Sequence, residues 1–194
     1  MAFWSENPPD KDPKRNFRFV VRVAGFGKDT GNSQGYMWFA KTAVKPSFAI
    51  AAAEHKFLNH TFYYPGSVTW NDVTVTLVDP QDPSTVMEFA KMIQAGGYVP
   101  PGTQNALGTM SKGTAVGATG KVEIAQLNAE GTEIEQWTLW NAWVTDIKFG
   151  DSLEYGNDDL TEVSVTFKYD WAQVQAGSDD AIAVFGVNSS TEAE

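Results

Sequence analysis

Residues Leu160–Tyr169 read LTEVSVTFKY, and no other stretch constrains the fold as tightly. Thr161, Val163, Val165, Phe167 and Tyr169 fall on one side, with Leu160, Glu162, Ser164, Thr166 and Lys168 on the other. Successive Cβ atoms of an extended chain point to opposite faces, so a period of two predicts a half-buried strand. The same rhythm recurs in Phe17–Ala24 (FRFVVRVA), Trp70–Val78 (WNDVTVTLV) and Lys121–Leu127 (KVEIAQL). The pattern predicts an all-β barrel or sandwich with one flanking helix.

That helix is expected over residues 83–95. Asp82 or Thr85 can cap it, Pro83 suits the first turn, and Thr85 with Glu88 makes a capping box. Val86, Phe89, Ala90 and Ile93 form an apolar stripe, and Gly96–Gly97 ends it. The remaining elements are an aromatic strand at Tyr36–Lys41 and a hairpin joining Lys121–Leu127 to Ile134–Ile147 across Asn128–Gly131. Residues 1–15 form a proline-punctuated arm, and 16–172 form the β domain. Residues 42–69 form a long connection whose part Lys56–Tyr64 can pair as a strand. Residues 98–120 form a Gly/Thr/Pro-rich loop, and 173–194 an acidic extension.

At 194 residues the chain is large enough for one self-sufficient core, and without cysteine its fold owes nothing to redox state. The first fifteen residues lack the apolar segment of a secretory signal, and no apolar run is long enough to span a bilayer, so no membrane partner is expected. The formal charge is −10 and is unevenly distributed: residues 146–194 carry two basic groups against eleven acidic ones. Neutralising phosphates requires clustered Lys and Arg, so the composition argues against nucleic-acid binding.

Candidate chemical sites are few. Gly31-Asn-Ser-Gln-Gly35 matches a nucleophile pattern, but that elbow needs a strand before Ser33 and a helix after it, and an aromatic strand follows instead. His55 and His60 have neither helical nor same-face strand metal spacing. Gly113–Lys121 lacks the first glycine of a phosphate loop at Ala115 and the hydroxyl residue at Val122. Trp137, Trp140 and Trp143, three apart on one expected strand, alternate between faces and cannot make one sugar-stacking platform, though a Trp-rich carbohydrate-binding sandwich remains the alternative from another functional class. The sequence therefore predicts no catalytic residue, no cofactor and no metal. Long strands without an internal proline, together with spare arms and an apolar connection, suit a subunit that pairs with copies of itself.

The order and wording of these segments resemble the tail tube protein of contractile-tail bacteriophages. The resemblance runs from about Asn16 to Ala172. It is carried by NFRFVVRV, FAKTAVKPS, HTFYYPGSVTWNDVTVTLVDP, STVMEFAKMIQAGG, WTLWNAWVTDIKFGDSLEYGNDDL and LTEVSVTFKYDWAQ. It implies a β-sandwich subunit assembling into hexameric rings with a continuous lumenal barrel, stacked into a non-enzymatic conduit for DNA ejection in the virion tail. The implied partners are further copies, the sheath protein, baseplate and terminator proteins, and the tape measure protein and DNA in the lumen. By this resemblance Phe48, Ile50, Phe57, Leu58, Phe62 and Tyr63 lie between copies. Glu123, Glu135 and Glu162 are candidate lumen acids, repelling phosphates over a Debye length of about 8 Å. A baseplate tube initiator and the inner tube of a bacterial contractile injection system share the same expected fold.

Overall fold

The computed structural model describes residues 13–26, 39–82, 84–102, 108–156 and 158–176. Ser33, residues Tyr36–Trp38 of the expected aromatic strand, Pro83, most of the arm and residues 177–194 lie outside them. Ten strands and two helices are assigned among the described residues. They are β1 (Phe19–Val23), β2 (Ala40–Ala43), β3 (Phe48–Phe57), β4 (His60–Trp70), β5 (Val73–Val78), α1 (Thr85–Ala95) and α2 (Lys112–Thr119). There follow β6 (Val122–Leu127), β7 (Glu133–Trp140), β8 (Trp143–Lys148), β9 (Glu162–Lys168) and β10 (Trp171–Ala176).

Two antiparallel four-stranded sheets, ordered β1-β6-β7-β10 and β2-β5-β9-β8, share one core, and neither closes into a barrel. The alternation that predicts the strands also decides which side chains enter it. Val21, Val23, Val122, Ile124 and Leu139 come from the first sheet, and Val73, Val75, Leu77, Val163, Val165 and Phe167 from the second. In the register Val75 pairs with Val165 and Leu77 with Val163, whereas Thr74 pairs with Thr166 and Thr76 with Ser164 on the opposite face. Each sheet is thus apolar inward and polar outward.

Three expectations are corrected. Ile134–Ile147 is not one strand: Asn141, at φ 55°, turns the chain out of the first sheet, and β8 begins at Trp143 in the second. Asn tolerates this left-handed backbone, and its Nδ2 donates to Asp170 Oδ2 at 2.8 Å. The Thr85–Glu88 capping box does not form. Ser84 is the N-cap without a side-chain bond, Asp79 Oδ1 accepts from the Thr85 N–H at 2.8 Å, and Glu88 pairs with Lys91. The buried stripe is Thr85, Glu88, Phe89 and Met92, turned from the expected one so that Ala90 is exposed.

The loop expected over 98–120 contains a second helix. Its Gly- and Thr-rich sequence has weak intrinsic propensity, but Ser111 and Thr114 cap it reciprocally, and it packs against α1 and β8. Gly25 makes this packing possible: a Cβ there would lie 2.0 Å from the Ala118 carbonyl oxygen, at the point where β1 passes the end of α2.

Candidate assembly interface

The expected 42–69 connection is largely a β-hairpin, and it stands apart from both core sheets. β3 and β4 pair only with each other among the described residues, and all but the last of their residues are exposed. Its base is fixed. The Asn71 N–H donates to the Ser47 carbonyl at 2.8 Å, and the Phe48 and Trp70 rings lie 5.0 Å apart. Trp70 in turn lies 5.8 Å from Tyr169 at the edge of the core.

Beyond that base both faces of the ribbon carry large exposed apolar side chains, with Glu54, Lys56 and Thr61 toward the tip of one and two histidines on the other. Ile50 pairs with Val68 and Glu54 with Tyr63, which places Phe48, Ile50, Val68, Pro65 and Tyr63 on one side. His55 pairs with Phe62, Ala53 with Tyr64 and Phe57 with His60, so Phe57, Phe62, Tyr64 and both histidines share the other. The register shifts between Ile50 and Ala52, where Pro65–Gly66 stands in β4. The expectation that no strand carries an internal proline is thereby corrected, because proline is tolerated at a bulge that spares its missing N–H.

The tip combines two local costs. Leu58 occupies the turn at φ 49°, a backbone region that suits Gly or Asn, and its side chain is 87% exposed. An isolated two-stranded ribbon is at best marginally stable in water. All six side chains expected between copies are on this ribbon. Phe48, Ile50 and Tyr63 are on one face, Phe57 and Phe62 on the other, and Leu58 is at the tip.

The three candidate lumen acids do not share a surface. Glu123 lies on the outer face of the first sheet, ion-paired to Arg22 and Lys121. Glu162 lies on the outer face of the second, paired to Lys41. Glu135 is in register with buried Gln126 and turns toward the space between the sheets. There it accepts from Lys14, from Lys45 at 2.7 Å and from Trp137 Nε1 at 2.6 Å.

Burial opposes ionisation of Glu135, but hydrogen bonds from Lys14, Lys45 and Trp137 outweigh it and hold its pKa at about 2. A carboxylate with a folded-state pKa below its unfolded value contributes stability above the unfolded pKa, and that contribution is lost as pH falls from about 4.5 toward 2. Both lysines are about half exposed, so screening reduces the contribution to about 2 kcal/mol. Glu135→Gln is therefore expected to lower thermal stability at pH 7 and to narrow its gap from the parent at pH 3. An equal gap at both pH values would contradict the assignment.

No cluster of three or more His, Cys, Asp or Glu residues suited to a metal is found among the described residues. Gly113–Thr119 is helical rather than a phosphate-cradling loop. Trp137, Trp140 and Trp143 are divided between two strands in different sheets, and Trp140 stacks on Trp171 at 6.2 Å. No described helix is long and apolar enough to cross a membrane.

The sequence matches no protein-family model and no curated protein. Its fold, however, is shared with solved structures. A chain of the anti-feeding prophage (AFP) baseplate superposes with a TM-score of 0.61 at 14% identity, covering 86% of this chain and 97% of that one. A chain of the PVC extracellular contractile injection system, from its sheath/tube terminator in the extended state, gives 0.61 at 16% identity, covering 86% and 99%. One from the PVC sheath-tube complex gives 0.59 at 16% identity, covering 86% and 94%. The tail-tube type of fold expected from the sequence is the fold observed.

Proposed function

We propose that this chain is a non-enzymatic structural subunit of a tail-type tube, whose copies join into hexameric rings that stack around a continuous lumen. The observation that carries this reading is the β3–β4 hairpin, a ribbon with large exposed apolar side chains on both faces that projects from a sandwich with its own core. Apolar side chains on both faces call for cover on both sides, which the neighbours in a ring or a stack supply. The shared fold with chains of contractile injection assemblies supports the same reading.

In the phage form of this reading, the tube belongs to the virion tail and conducts DNA during ejection. A contractile sheath surrounds it, baseplate and terminator proteins close its ends, and tape measure protein and DNA occupy the lumen without specific binding. Whichever sheet lines the lumen brings either Glu123 or Glu162 with it, each with its paired cation. Such a wall is charge-compensated and offers phosphates no clustered cations to hold them. The likeness to the AFP and PVC chains favours a second form, the inner tube of a contractile injection system or its baseplate initiator. DNA content of purified particles separates the two.

Negative-stain imaging of the purified protein over a range of concentrations tests the common core of both forms. Rings or tubes with a central channel are the expected result. A protein that stays monomeric at high concentration, with the hairpin intact, would overturn the proposal.

A further inference from the structure

We infer that the connection between β8 and β9 of one copy docks into the mouth between β1 and β2 of the next, making the head-to-tail contact of the assembly. This inference rests on the assembly reading and adds to it a specific pair of surfaces, distinct from the hairpin.

Among the described residues β1 and β2 are edge strands of different sheets, and the mouth between them is a cavity of about 680 Å³ lined by Phe17, Phe19, Ala40, Ala43, Ile124 and Trp137. Its size is that of an ordinary binding pocket, and its floor is apolar. Its rim is cationic. Lys41 and Lys45 line it, while Lys14 and Arg15 lie on the segment leading into it. Glu135 offsets part of this charge through Lys14 and Lys45, and Glu162 pairs with Lys41.

The β8–β9 connection has the opposite character. Leu153 is 91% exposed, Leu160 is 71% exposed and Tyr155 is wholly exposed. Asp151, paired with Lys148, and Glu154, Asp158 and Asp159 stand among them, with no Lys or Arg from Phe149 to Thr161. Apolar anchors flanked by carboxylates match an apolar floor with a cationic rim. The connection does not fill its own mouth, because none of its residues lines that cavity. The two surfaces adjoin in one subunit at the Lys41–Glu162 ion pair, yet Leu153 and Tyr155 remain in solvent.

Charge also limits the symmetry. Two acidic connections repel one another, as do two cationic mouths, so neither patch packs against its own copy. A contact between unlike patches that is not reciprocated is heterologous, the type that closes into a ring when the rotation permits. Complementary rim charges chiefly set partner choice and association rate.

Charge reversal tests this pairing. Glu154→Lys with Asp158→Lys makes the connection basic, and Arg15→Glu with Lys41→Glu makes the mouth acidic. Each double variant alone is expected to need about tenfold more protein, or higher, for half-assembly in sedimentation velocity. An equimolar mixture should assemble like the parent, because alternating copies restore unlike charges at every contact. The absence of native cysteine allows a check that leaves the charge unchanged. Phe17→Cys with Tyr155→Cys in one chain should give a ladder of disulfide-linked oligomers on oxidation, with neither single variant doing so. Parent rings with no ladder, or reversed variants that assemble unaided, would overturn the docking while leaving the tube reading intact. A parent that never assembles would overturn both.

Discussion

Replacing Phe57, Leu58 and Phe62 together with Ser is expected to abolish assembly while leaving the subunit's thermal unfolding essentially unchanged. The three side chains are 60%, 87% and 49% exposed in the isolated subunit, so none supports the sandwich core. Burying each against a neighbour is worth about 1–2 kcal/mol from apolar area alone. Three per subunit give about 3–6 kcal/mol, at least about a hundredfold in the association constant. A ring multiplies the loss, since every contact in it carries the same substitutions. Sedimentation velocity across concentrations reads the assembly, and circular dichroism on heating reads the fold. A variant that forms rings at the parent's concentration would remove the hairpin from the interface. A variant that melts far earlier would mean that the ribbon stabilises the subunit itself.

Phe89→Ala is expected to produce the largest loss of subunit stability. Phe89 is fully buried, its ring lies 5.3 Å from that of Phe26, and Phe26 lies 5.9 Å from Phe39. This chain of rings ties α1 to the end of β1 and the approach to β2. Truncating a buried Phe removes its transfer energy and leaves a cavity that the surrounding sheets can fill only in part, at a cost of about 3–5 kcal/mol. For a domain of this size that corresponds to a drop in melting temperature of roughly 10 °C. Met87→Ala on the same helix is the control, because Met87 is 58% exposed and should change little. A Phe89→Ala loss no larger than the control's would show that α1 is not anchored through this ring.

The residue types of the candidate interface are legible in the sequence, its geometry less so. Phe48–Tyr63 is apolar in the sequence, and the six side chains expected between copies all lie on one exposed ribbon. Its hairpin form was only partly visible, because Phe48–Ala53 is too rich in alanine to alternate and Leu58 is a poor turn residue. The role of Glu135 was hidden. Its partners Lys14 and Lys45 are 121 and 90 residues away, and no local pattern reports such pairs. The stacked Trp140 and Trp171 likewise meet only across the β7–β10 register. The second helix is not legible in the sequence, because Ser111 and Thr114 form a box in which a threonine replaces the usual acid or amide.

Alternation alone marks β1, β5, β6 and β9 as strands, since a period of two commits each side chain to one face of a sheet whatever the sheet's partners. It also determined which faces are apolar, and hence that Val163, Val165 and Phe167 enter a core while Ser164 and Thr166 do not. Where the chain changes sheets at Asn141, that the apolar ribbon stands clear of the core, and that Lys41 and Lys45 line a cavity beside an acidic connection are set by the folded arrangement. Those outcomes depend on contacts between residues far apart in the chain, whose energies arise only after the sheets have paired.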